Sequence, residues 1–170
     1  MEHRIERRER RRFLAIERTF SDESKRDEKG RSVVEFWTEC HEKDLISPMK
    51  RICRKENRET YGLCAMLKER KKYFRYGIGV LLADDADETE LARLVKRGYS
   101  IWETEPNDYA VFRCVGPDEW CLQETWRKFF EEFSPESGYV HTGDTDFELY
   151  PEPEEKGLFC ELWVPICKKI

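Results

Sequence analysis

Two stretches of this 170-residue chain carry the same order of secondary-structure signals, so whatever it folds into must place two similar apolar surfaces against each other. In the first stretch, Phe13 to Phe20 is apolar and β-tolerant, and the polar run Ser21 to Arg31 reads as a surface loop. Ser32-Val33-Val34-Glu35 has the form of a capping box, and Val33, Phe36, Trp37 and Cys40 fall on one helical face, which predicts a helix over about 33 to 43. Thr60 to Met66 and Tyr73 to Leu82 follow as an antiparallel pair joined by the charged turn Leu67 to Lys72. The acidic segment Ala83 to Glu90 leads to a short helical turn, Leu91 to Val95, and a further strand, Tyr99 to Glu103.

The second stretch repeats the order. Tyr109 to Cys114 reads as a strand; Gly116-Pro117-Asp118 is a stop followed by an N-cap. Leu122, Trp126, Phe129, Phe130 and Phe133 then recur on one helical face, and that helix must end near Ser134-Pro135. Asp146 to Tyr150 and Leu158 to Ile166 are the last two strands, joined through Pro151 to Gly157. Phe13-Leu14-Ala15-Ile16 corresponds to Tyr109-Ala110-Val111-Phe112, and Ile78-Gly79-Val80 to Leu162-Trp163-Val164. The expected fold is α+β: a duplicated strand-helix-strand-strand repeat with pseudo-twofold symmetry, a helix gripping each curved antiparallel sheet, and a ligand cleft between the halves. The whole chain is expected to be one domain with halves of about 1–95 and 96–170.

Composition narrows the function. Charged residues make up 39% of the chain, against roughly 25% in an average soluble protein, but 13% aromatic residues set it apart from disordered chains. No apolar run approaches the roughly 18 residues that cross a bilayer, and no signal peptide is visible, so a cytoplasmic location is expected. Seven cysteines without a Cys-x-x-Cys pair read as reduced, mostly buried thiols. Three scattered histidines offer no metal spacing, and neither a metal nor a cofactor is expected. Gly-x-Ser-x-Gly, phosphate-binding glycine loops and Cys-His arrangements are missing. The Arg-rich opening, Arg4 to Arg12, is interleaved with Glu2, Glu6 and Glu9 and reads as a solvated edge strand rather than a nucleic-acid site.

Five strings in order, Tyr109-Ala110-Val111-Phe112, Gln123-Glu124-Thr125-Trp126, Pro135-Glu136-Ser137-Gly138-Tyr139, Asp146-Phe147-Glu148-Leu149-Tyr150 and Glu161-Leu162-Trp163-Val164-Pro165-Ile166, resemble the GyrI-like family. This family is also known as the effector-binding domain of AraC-type and MerR-type bacterial regulators. The likeness runs from about Ile5 to Lys168. It implies a duplicated fold with a pocket for small, lipophilic and often cationic molecules. It begins almost at Met1, so no DNA-binding domain is expected within the chain. Stand-alone relatives include drug binders, modulators of DNA gyrase, and hydrolases that open cyclopropane-containing natural products. A small-molecule ligand is therefore expected, with neither nucleic acid nor membrane as a direct partner; a separate regulator or gyrase is a further candidate partner.

Glu161 is the first candidate site residue, because it interrupts an apolar strand. A buried carboxylate without a partner would cost several kcal/mol or take up a proton. It therefore either floors a pocket, where the resemblance also implies an acidic residue, or faces water or an arginine at a sheet edge. Trp37, Trp126, Tyr76, Trp163, Trp102 and Tyr109 are candidate aromatic walls of a ligand cleft; for Trp37, Trp126 and Tyr109 core packing is the alternative role. Were the protein a hydrolase, Glu161 would position or deprotonate water. The acidic hairpin Asp144 to Glu155 reads as a solubilising loop.

Overall fold

The structure, a computed structural model, describes residues 1–53 and 56–170. The chain forms β1 (Arg4–Arg8), β2 (Arg11–Ser21), α1 (Val33–Glu42), α2 (Ser47–Lys50), β3 (Thr60–Met66), β4 (Tyr73–Leu81), α3 (Glu88–Lys96) and β5 (Ser100–Thr104). It continues with β6 (Asn107–Val115), α4 (Trp120–Lys128), a π-helical turn over Phe129–Phe133, α5 (Ser134–Ser137), β7 (Tyr139–His141), β8 (Asp146–Tyr150) and β9 (Leu158–Lys168).

Local chemistry explains the boundaries. Ser32 caps α1 by accepting from Glu35 N, and Asp118 accepts from Trp120 N at the start of α4. Asp87 accepts from Thr89 N and Glu90 N, so α3 begins inside the acidic segment and is a full helix rather than the short turn expected. Its acidic first turn and basic last turn also suit the helix dipole. Gly138, at φ 75°, adopts the left-handed conformation that ends α5. The π-helical turn re-aims the aromatic stripe of the second helical segment: Phe129 and Phe133 are buried, whereas Phe130, expected on the same face, is 59% exposed and stacks on Trp126.

All strands belong to one sheet, ordered β1-β6-β9-β8-β3-β4-β2-β5, with β7 added on β9. Outward from the central β8–β3 pair, with the short added strand β7 left out of the count, the order on each side is third, fourth and second strand of one half, which matches the duplicated order of the sequence. The outermost strands are exchanged. β1 leads into β2 but pairs with β6, and β5 leads into β6 but pairs with β2. Their registers form one ladder: Arg4 to Arg8 oppose Val111 to Asn107, and Arg11 to Ala15 oppose Thr104 to Ser100 without a slip. The ends of the sheet are thereby tied to each other, which covers edges that would otherwise invite pairing with other chains. The Arg-rich opening thus becomes the edge strand expected.

Strand alternation then divides the side chains into two populations. On the inner face of the curled sheet, Phe13, Trp102, Tyr109, Phe147 and Trp163 pack with Tyr61 and Leu63 in a core drawn from both halves. On the outer face the helices make separate cores. α1 covers Phe20, Tyr76 and Ile78; α4 and its π-helical turn cover Phe112, Cys160 and Leu162; α3 and α2 cover Leu14, Val80 and Leu82. Each helix gains about 1.5–3 kcal/mol for every large apolar side chain it buries. Between α1 and α4 the outer face of β3 and β8 is left partly uncovered.

Candidate small-molecule cleft

A cavity of about 930 Å³ occupies that gap. α1 supplies Val33, Val34, Trp37 and His41 on one side, and α4 with the residue before it supplies Glu119, Leu122 and Gln123 on the other. The floor is Thr60, Tyr76, Glu148 and Tyr150, and the β8–β9 connection with Leu158 and Phe159 closes one end. Both halves of the duplication therefore build the cleft.

Glu148 is its chemical centre. In β8, Asp146, Glu148 and Tyr150 alternate with Phe147 and Leu149, so that the polar set points outward beneath the helices. Glu148 is only 8% exposed. Tyr76 Oη and Tyr150 Oη each donate to its Oε1 at 2.8 Å, and Trp37 Nε1 donates to Tyr76 Oη at 2.9 Å. Among the described residues no donor reaches Oε2 and no cation pairs with the carboxylate. Burial pushes the carboxyl up to about 7; the two phenols pull it back and Asp146 adds to the rise. The same burial, with the carboxylate beside them, holds both phenols well above their ordinary range.

Gly62 makes this arrangement possible. It pairs with Glu148 across β3–β8, and a Cβ at that position would stand 2.1 Å from Tyr76 Oη and 2.8 Å from Glu148 Oε1. The Tyr76 hydroxyl occupies the volume that any other residue's side chain would fill. Trp37 meets the Tyr150 ring edge-on at 5.1 Å and stacks on His41 at 6.1 Å, and Tyr150 meets Phe159 at 5.6 Å. Aromatic surfaces thus surround the carboxylate on its open side.

The rim is acidic. Of its glutamates, Glu152 is held by Lys50 at 2.9 Å and Arg58 at 3.1 Å, which lower its pKa, and Glu155 pairs with Arg113. Glu119 and Glu154 have no ion-pair partner among the described residues. The nearby Asp146 is satisfied separately. His141 Nδ1 accepts from Gly143 N, so its Nε2 donates to Asp146 Oδ2 at 3.1 Å.

The expected site residues divide between the two faces. Trp37 and Tyr76 line the cleft. Trp126 stands behind it, stacked on His141 and Phe130. Trp163, Trp102 and Tyr109 are buried in the inner core and do not line the cleft; for Tyr109 this is the packing alternative, and for the two tryptophans it is a correction, since strand alternation turns them away from the helices. Glu161 does not line the cleft. Strand alternation puts it on the inner face with Trp163, where Arg4 binds both its oxygens at 2.8 and 3.1 Å and Trp163 Nε1 donates to Oε1. This is the arginine-paired alternative for that residue. The carboxylate that stands on the cleft floor is Glu148, within a segment read as a solubilising hairpin. Its signal was available: a charged residue alternating with Phe147 and Leu149, and a glycine interrupting the apolar strand Thr60 to Met66.

Comparison with known proteins bears on this geometry. The family model described as Cass2, integron-associated effector binding protein, matches residues 4–166. The chain belongs to that family. This effector-binding family is GyrI-like, as the sequence resemblance implied. No curated protein matches the chain in sequence. Among solved structures, SAV2435 bound to tetraphenylphosphonium shares the fold with a TM-score of 0.75 at 16% identity, covering 98% of this chain and 94% of that one. The Vibrio cholerae integron cassette protein VCH_CASS2 gives 0.64 at 12% identity, covering 97% and 95%. A hydrolase from Listeria innocua gives 0.58 at 10% identity, covering 98% and 92%. The chain is thus a member of an effector-binding family with the mixed α+β fold of its structural relatives. Among the described residues no helix is long and apolar enough to cross a membrane.

Proposed function

We propose that this cleft binds a lipophilic organic cation, for sensing or sequestration, with Glu148 as counter-charge and Trp37, Tyr76, Tyr150 and Phe159 as walls. The observation that carries the reading is a carboxyl group with no cationic partner among the described residues, at the aromatic floor of a cavity of about 930 Å³. Apolar ligand surface buried there contributes about 25 cal/mol per Å². Each aromatic face near the positive charge adds about 0.5–2 kcal/mol. The carboxylate, deprived of water and of protein cations, favours positive ligands over neutral ones of the same shape. The acidic rim steers in the same direction, and the tetraphenylphosphonium bound by the structural relative SAV2435 has the matching chemistry. Titration calorimetry with tetraphenylphosphonium tests the reading. Binding should weaken at least about tenfold in Glu148→Gln, which keeps the shape and removes the charge. Trp37→Leu should also lose affinity. Unchanged binding in both variants would place the ligand elsewhere.

A second reading rests on the same group. A carboxyl near neutrality, hydrogen-bonded to two tyrosines inside an aromatic cleft, has the properties of a general acid-base, and one structural relative is a hydrolase. Glu148 would deprotonate water while Tyr150 donates to the leaving carbon or heteroatom of a strained, cyclopropane-bearing ring. Incubation with such a compound, followed by mass spectrometry, separates the two readings. A water adduct formed by the wild type and lost in Glu148→Gln establishes turnover; an unchanged compound leaves binding alone.

A further inference from the structure

The two phenols treat the Glu148 oxygens unequally. Both donate to Oε1, so that oxygen is held in the role of a carbonyl acceptor, while Oε2 accepts from no donor among the described residues. Trp37 Nε1 occupies the acceptor position of Tyr76 Oη and thereby fixes the direction in which that hydroxyl gives its proton. Neither phenol can reverse to donate elsewhere without breaking this chain. The carboxyl has two states compatible with the same heavy-atom arrangement: a carboxylate, or an acid whose proton sits on Oε2.

Among the described residues no lysine or arginine pairs with Glu148. From β8, Asp146 faces the group but is bound to His141; from β4 and β8 come the phenols Tyr76 and Tyr150. From β3 and β9, Cys64 and Cys160 share its face, both thiols held well above their ordinary range by burial and neighbouring groups. From α1 come Trp37 and His41, and from the α4 side and the β8–β9 connection the carboxylates Glu119, Glu152, Glu154 and Glu155. The cations of the rim, Lys50, Arg58 and Arg113, are each bound to one of those carboxylates. Among the described residues, therefore, no lysine or arginine answers an ionised Glu148, and its counter-charge is left to a ligand or to a proton.

We infer that Glu148 accepts two ligand classes by exchanging one proton: a lipophilic cation binds the carboxylate and expels the proton from Oε2, whereas an uncharged lipophilic molecule bearing an oxygen acceptor binds the acid and takes a hydrogen bond from Oε2–H. The inference rests on the binding reading above. In the first case the ligand and acid give the ion pair plus one proton released to solvent; in the second no proton is exchanged. The carboxyl value near 7 means that both states are accessible close to neutrality.

Tetraphenylphosphonium and triphenylphosphine oxide make a matched pair, since both carry phenyl groups on phosphorus and only the second is neutral with an acceptor oxygen. Calorimetry on the full chain, from about pH 5.5 to about pH 8.5 in two buffers of different ionisation enthalpy, reads affinity and proton release together. Cation affinity should rise about tenfold per pH unit below about 7, with up to one proton released, and level off above it. Affinity for the oxide should be level below that point and fall about tenfold per unit above it. Glu148→Gln, whose amide is a permanent donor, should flatten both profiles and retain the oxide. Cation binding without proton release, or two profiles that move in the same direction, would overturn the exchange while leaving the binding reading intact. Binding of neither compound at any pH would overturn both.

Discussion

Two glutamates on opposite faces of one sheet show how this fold separates structure from site. Glu161 lies on the inner face. Its neighbours are an arginine that binds both carboxylate oxygens and an indole N–H, so its charge is answered within the protein. Glu148 lies on the outer face, between two helices that do not quite meet. Its neighbours are two phenols and, among the described residues, no cation, so on the proposed reading its charge is left to the ligand. Each is mostly buried. The difference is the counter-charge: a carboxylate that the protein has already neutralised is architecture, and one that it has hydrated only with hydroxyls can discriminate ligands.

The largest expected effect sharpens that contrast through stability. The folded-state value of Glu148 lies near 7, above its ordinary 4.5, so the folded protein holds an extra proton between those values. The stabilisation is fully present below the lower value and is lost as pH rises through the higher one, a change of about 3 kcal/mol. Glu148→Gln has no such proton to lose. Urea unfolding should therefore show the variant gaining on the wild type by about 3 kcal/mol between pH 4.5 and neutrality, and holding that gain above it. Parallel stability curves would mean that the carboxyl is well solvated.

Glycines on the two faces give the next test. Gly62→Ala must displace Tyr76 Oη, and should cost about 1–3 kcal/mol and impair cation binding together. Gly77→Ala meets Trp102 and Ala15 at 3.0 to 3.3 Å on the inner face, and should cost less while leaving binding alone. Equal loss of binding in both would show that the faces are not independent. Tyrosines follow. Tyr150→Phe removes a donor from the carboxylate, worth about 1–2 kcal/mol, so the pH at which cation affinity levels off should move up by about one unit. Tyr109 Oη is buried on the inner face with no hydrogen-bond partner among the described residues, and Tyr109→Phe should change stability by less than about 0.5 kcal/mol and binding not at all.

The smallest effect concerns Glu161 itself. Arg4 is 42% exposed and still pairs with Glu6, so Glu161→Gln should cost only about 1 kcal/mol in denaturation and shift tetraphenylphosphonium affinity by less than about twofold. A loss of binding comparable to that of Glu148→Gln would restore Glu161 to the site.

Most of the fold was readable because it rests on local periodicities. The helix stripe of Val33, Phe36, Trp37 and Cys40, the capping serine and the alternating strands each declare themselves within ten or so residues. The exchange of β1 and β5 between the halves was not readable, because it depends on pairings about 100 residues apart, Arg4 with Val111 and Arg11 with Thr104. The π-helical turn at Phe129–Phe133 was likewise hidden, since it changes the helical period within a stripe that suits either geometry. Glu148 was missed for a related reason. Asp146, Glu148 and Tyr150 alternate with apolar residues as they would on a water-facing strand. Only the placement of β8 at the sheet centre, under α1 and α4, turns that polar face into the floor of a cleft. Glu161 drew attention because its neighbours are apolar, but the arginine that answers it lies 157 positions away.

The central claim is that the unpaired carboxyl, not the paired one, receives the ligand, and a crystal structure of the complex with tetraphenylphosphonium tests it most directly. The phosphonium should lie over Glu148, with its phenyl rings against Trp37, Tyr150 and Phe159 and with the Arg4–Glu161 pair undisturbed. A phosphonium seated on the inner face beside Glu161, or in the cleft but turned away from Glu148, would contradict the account.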